Sequence, residues 1–124
     1  MSPRVVLRPL LAAGFAGIGV AHFVPAIATG MAAMIPPEIT HRSPVGGKAL
    51  VRITGVCELA GAAGLLIRPV RPAAATALVV FLAAVFPANA YAARNPERFG
   101  AVAVPLKPRA AAQVLLAALI VLAV

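Results

Sequence analysis

Apolar residues along this chain come in four long runs, covering residues 5–24, 49–67, 73–93 and 110–124. The breaks between them read PAIATGMAAMIPPEITHRSPVGGK, RPVRP and RNPERFGAVAVPLKPR, which are loop compositions rich in Pro, Gly and charge. A helix needs about 20 apolar residues to cross a hydrocarbon core. The first three runs meet that length closely, and the fourth is shorter. Backbone groups in lipid must bond within their own segment, so each run is predicted as a helix. The expected fold class is all-α: an integral membrane four-helix bundle, one transmembrane domain over residues 1–124.

The short RPVRP break makes the second and third helices an antiparallel hairpin. Both long breaks then fall at the opposite end of the bundle from the hairpin. The first long break is apolar for a loop. Met31, Met34 and Ile35 followed by Pro36 and Pro37 suggest a segment lying in the interface or folding back over the bundle.

Composition supports the membrane reading. The chain is 62% hydrophobic and 11% charged, with mean hydropathy +1.00. Too few polar residues are present to cover a soluble domain of this size. The net charge of +8 does not point to nucleic acid, because the basic residues sit singly or in pairs beside the apolar runs. There they favour lipid head groups and influence topology. The hairpin end carries Arg4, Arg8, Arg68 and Arg71 in short stretches. The loop end carries more basic residues, diluted by Glu38 and Glu97, so orientation stays open. Arg4, Arg8, the first apolar run and AIA at residues 26–28 also fit a signal peptide, whose removal would take His22 with it. The lone cysteine, Cys57, permits no disulfide within the chain and no Cys-x-x-Cys chemistry, and is expected to pack as a small apolar residue.

The polar residues inside the runs carry the candidate chemistry. Glu58 lies mid-way along the second run, in GVCELAGAAG. Residues three, four and seven away share its helix face: Val51, Thr54, Gly55, Gly61, Ala62 and Leu65. Most are small, and small residues mark where membrane helices approach closely. Glu58 is therefore expected to face the bundle. An acid at a helix centre costs roughly 3 kcal/mol on insertion scales, so this helix should need its neighbours. At 1.5 Å per residue Glu58 lies about 14 Å from the loop end, and Arg52 about 5 Å. His22, Asn89, Tyr91 and Gln113 fall in the same half. This one-sided depth predicts a polar pocket open toward the loop end and floored by Glu58.

Pro87 should kink the third helix and free the Ala83 carbonyl, for which Asn89 is the expected partner. Each candidate also has a plainer reading. Glu58 and His22 could be bonded structurally to one another. Arg52, about 120° around from Glu58, could be a snorkelling anchor. Asn89 could be a packing bond, and Tyr91 an interface anchor. Walker and dinucleotide fingerprints are absent, as is His/Cys spacing for zinc or haem, so no metal is expected.

The segments GIGVAHFVPA, IPPEI, ITGVCELAGAAGLLIRPVRPAA and VFPANAYAA together resemble the DoxX-like family of small four-helix membrane proteins, over residues 14–93. The matching residues are His22, Phe23, Gly55, Glu58, Gly61, Phe86, Pro87, Ala88 and Asn89. The resemblance implies a multi-pass protein of the bacterial cytoplasmic membrane, linked to quinone or thiol redox systems. It carries over no catalytic residue. The leading expectation is an accessory membrane subunit, not an enzyme by itself, partnered by the bilayer and by a membrane or peripheral oxidoreductase. Its ligand-pocket candidates are His22, Glu58, Asn89, Arg52, Tyr91 and Gln113, with a quinone as the ligand considered. The alternative is a non-enzymatic bundle that transports a small solute or scaffolds other membrane proteins. Small-residue helix faces also allow a homo-oligomer.

Overall fold

The computed structural model describes residues 2–124, which are helical in every long segment, with no strand among the described residues. Proline sets the punctuation. A residue before proline is pushed out of the helical region, while proline itself suits a first helical turn. Helix α1 spans Pro3–Ala21. It stops short of residue 24, where the first apolar run ends, because Val24 is extended ahead of Pro25 (φ −80°, ψ 117°). The chain restarts at once as α2, Pro25–Met34, and again after Ile35 and Pro36 as α3, Pro37–Arg42.

The second long helix, α4, is Gly47–Leu66. A 3-10 turn at Arg68–Val70 joins it to α5, Arg71–Arg94, which continues through Pro87. A short α6, Pro96–Phe99, precedes α7, Leu106–Ala123. Helix α7 starts earlier than residue 110. Pro108 falls in its first turn, where the missing N–H has no helical partner to lose.

The long helices pack in a ring, α1 on α4, α4 on α5, α5 on α7 and α7 back on α1. Arginines tie the hairpin end together. Arg4 and Arg8 donate from Nε to the carbonyls of Leu122 (3.1 Å) and Ala123 (2.6 Å), which pins the start of α1 to the end of α7. Arg71 Nε donates to the Leu65 carbonyl across the hairpin at 2.6 Å.

The apolar core occupies this same half. Leu11 and Phe15 of α1 meet Ala62 and Leu65 of α4, Leu78 and Leu82 of α5, and Ile120 of α7. Helices α4 and α5 come so close that a Cβ on Gly61 would lie 2.5 Å from Leu78 Cδ2. That is the close approach foreseen for the small-residue face, and Val51, Gly55, Glu58, Gly61, Ala62 and Leu65 are all buried on it.

The outside of the bundle is apolar. Leu10, Val56, Val80, Val114, Val121 and Leu122 are exposed. Four helical segments, Pro3–Ala21, Gly47–Leu66, Arg68–Arg94 and Pro96–Ala123, are long and apolar enough to cross a membrane. Cys57 is exposed on the outer face of α4 and not packed inside.

Candidate ligand cavity

In the half toward the long loops the core gives way to a cavity of about 1010 Å³. Its walls come from every long helix: Phe15 and Ile18 of α1, Thr54 and Glu58 of α4, Phe81 and Asn89 of α5, and Leu116 of α7. Helix α2 lies against α4 and α5 and contributes Ile27, Met31 and Met34 to the lining. The apolar first loop is thus a helix folded over the bundle. Arg98 and Phe99 of α6 and Arg109 of α7 line the cavity at the loop end.

The inner polar pair is Glu58 and His22, only 2% and 8% exposed. His22 is the first residue beyond α1, where the chain turns toward α2. That turn fits because α4 offers a glycine there: a Cβ on Gly55 would lie 2.6 Å from His22 Cβ. His22 Nδ1 lies 2.8 Å from the Ile18 carbonyl. A carbonyl only accepts, so Nδ1 carries the proton and donates it there. Glu58 Oε2 is 3.6 Å from the same Nδ1. This is too long for a hydrogen bond, and the Nδ1 proton is already engaged. Glu58 Oε2 is buried with no hydrogen-bond partner among the described residues. A buried polar atom without a partner costs about 1–3 kcal/mol, so one that persists marks strain, function or binding.

Of the other residues singled out in the sequence, Asn89 lines the cavity. Arg52 is exposed on the outer side of α4 and does not. Tyr91 is also outside the lining, but its hydroxyl accepts from Arg98 Nη1 at 3.2 Å, and its ring stands edge-on to Phe99. With the Arg98 guanidinium 5.0 Å from the Phe99 ring centre, Tyr91 positions a residue that does line the cavity. Gln113 donates from Nε2 to the Leu82 carbonyl, inside α5. One turn before Pro87, through which α5 continues, the side-chain donor to the helix backbone is therefore Gln113 from α7 on the Leu82 carbonyl, and the expected bond from Asn89 to the Ala83 carbonyl is not made.

Sequence reasoning missed Arg98 and Arg109 as cavity residues. Arg109 Nε is buried without a hydrogen-bond partner among the described residues. The available signal was the pair of arginines bracketing the apolar stretch FGAVAVPL, but loop residues have no periodicity to assign them a face. Among the described residues no three His, Cys, Asp or Glu side chains gather as a metal ligand set.

Fold and cavity together define a class: an all-helical bundle with four membrane-length helices around an apolar chamber that has a buried carboxyl at its inner end. The chain belongs to the family described as Domain of unknown function (DUF8561), whose model matches residues 11–124. No curated protein and no solved structure matches it.

Proposed function

We propose that this is a multi-pass protein of the bacterial cytoplasmic membrane whose cavity binds a quinone or a similar amphipathic molecule, as the membrane subunit of a redox system. The observation that carries this is the buried, unpartnered Glu58 carboxyl oxygen beside His22 at the inner end of a large, mainly apolar cavity. Ligand sites are commonly apolar chambers with a few placed polar groups. Intramembrane ionisable residues commonly mark ligand or proton paths. The exposed apolar faces of all four long helices support insertion in a bilayer. The redox setting is the expectation drawn from the sequence motifs that resemble the DoxX-like family, and it rests on them alone.

In this reading the ring of the ligand packs among Phe15, Phe81, Met31 and Met34. Its oxygen accepts from the Glu58 carboxyl, which carries its proton in this role, and from the Asn89 amide N–H. Reducing a quinone to its quinol takes two electrons and two protons. The electrons come from a partner oxidoreductase, and Glu58 with His22 passes protons to the quinone oxygens.

The test is quinone affinity in the purified protein, comparing wild type with Glu58→Leu, which removes the donor that Glu58→Gln would keep. A loss of about tenfold, the effect of losing one hydrogen bond, is expected with thermal stability retained. Unchanged affinity in a folded variant sinks the role of Glu58. No quinone-dependent stabilisation at all would favour solute transport or a scaffold instead.

A further inference from the structure

We propose that the arginine-lined hollow at the hairpin end of the bundle binds the phosphate group of an anionic phospholipid. The hollow has a volume of about 450 Å³ and is lined by Arg8, Arg68, Arg71, Pro72 and Val124. Arg4 lies beside them on the first turn of α1, and the charges of Arg4, Arg68 and Arg71 all reach Arg8. Four guanidinium groups at one end of a bundle repel one another. The chain has only three acidic residues, Glu38, Glu58 and Glu97, and all lie elsewhere: in α3, midway along α4, and in α6. A negative charge at Val124 would still leave this end positive.

The arginines are also oriented. Arg4, Arg8 and Arg71 each use Nε on a backbone carbonyl, and Arg8 uses one Nη on the Val124 carbonyl oxygen at 3.0 Å. A guanidinium has five N–H groups, so each keeps donors for another acceptor. Phosphate oxygens suit such planar, multi-donor groups better than any single neutral acceptor does.

A lipid is favoured over free phosphate by the surroundings. Val5, Val6, Leu66, Val70, Val121 and Leu122 are exposed close by in the chain, so acyl chains would meet apolar helix faces directly beside the head group. Positive pockets between helices at a membrane surface are suited to anionic head groups. This inference rests on the membrane-spanning part of the reading above and is independent of the quinone.

The test uses the full chain purified in a neutral detergent. It is titrated separately with short-chain phosphatidylglycerol, phosphatidylcholine of equal chain length, and inorganic phosphate, and followed by native mass spectrometry. Phosphatidylglycerol should be retained preferentially. Arg68→Gln removes a charge whose side chain makes no hydrogen bond among the described residues, so it should fold. It should weaken phosphatidylglycerol by about fivefold, and Arg4→Gln with Arg68→Gln by about 25-fold, at one basic residue's worth of head-group attraction each. Lys107→Gln, at the other end, should change nothing. Equal retention of both lipids, or equal losses in Arg68→Gln and Lys107→Gln, overturns the site. Inorganic phosphate displacing the lipid at equal concentration overturns the lipid as its source. Alkaline carbonate extraction of membranes tests spanning by itself: release fails the membrane reading, whereas retention without lipid selectivity fails the site alone.

Discussion

The two halves of the bundle are built from the same four helices and differ in almost everything else. At the hairpin end Leu65, Leu78 and Ile120 are completely buried, and glycine brings α4 against α5. At the loop end the same helices stand around a cavity, with α2, α6 and the start of α7 completing the wall. The difference follows from the connections. A three-residue turn at Arg68–Val70 holds two helices at contact distance. Long connections impose no such limit, and their own apolar residues fill part of the space between the helices. Glu58 sits at the boundary, on the last part of α4 before close packing begins. One half thus holds the bundle together, and the other is free to hold something else.

The largest expected effect comes from truncating the packed half. Leu78→Ala removes a fully buried side chain and should cost about 2–5 kcal/mol. The matching change in the open half, Met34→Ala, only enlarges a space already present and should cost well under about 1 kcal/mol. Unfolding midpoints in detergent would compare them directly. Equal losses would mean that the cavity is closed in solution.

Gly61→Ala comes next. The added Cβ would meet Leu78 Cδ2 and Cγ at 2.5 and 2.7 Å, and Leu78 has no room to retreat. Overpacking of this kind costs about 1–3 kcal/mol. Gly55→Ala clashes as severely: Phe23 Cε2 at 2.9 Å is half exposed and can swing aside, but His22 Cβ at 2.6 Å is fixed to a buried stretch of backbone. It should cost a similar amount, about 1–3 kcal/mol, while disturbing ligand binding more than Gly61→Ala does, a contrast readable by measuring both properties on each variant.

Glu58→Met sharpens the boundary. If Glu58 were held by a hydrogen bond to His22, its loss would destabilise the protein. The unpartnered Oε2 points to the opposite sign: a gain of about 1–3 kcal/mol without ligand, together with loss of quinone-dependent stabilisation. A fall in the unliganded unfolding midpoint would contradict this arrangement. Arg52→Gln should do least, within about 0.5 kcal/mol and with unchanged affinity, because the side chain is exposed outside the cavity.

Legibility in the sequence tracked the range of the interactions involved. Glu58 could be assigned a face because helical spacing relates it to Gly55, Gly61 and Ala62 without reference to any other segment. Its relation to His22 could be suspected from depth, but not its character. Whether the imidazole proton goes to Glu58 or to Ile18 depends on the turn made at residue 22. Tyr91 and Gln113 were visible as polar residues in apolar runs, yet their partners, Arg98 and the Leu82 carbonyl, lie on other elements or far along the chain. Arg98 and Arg109 escaped notice as cavity residues because a loop has no repeat from which to read direction.

What the sequence determined by itself was local and repetitive: four apolar runs, their helical state, their proline-marked ends, and the close-packed side of α4. Those properties depend on residue type and on a spacing of a few positions, so they survive without knowledge of the fold. The tertiary structure alone decided that α2 folds over the bundle, that one half closes and the other stays open, and that Arg8, Arg68 and Arg71 at the hairpin end line one hollow. Each of these joins segments tens of residues apart. Connection length and the available packing volume decide them, and neither is written in any single stretch of the chain.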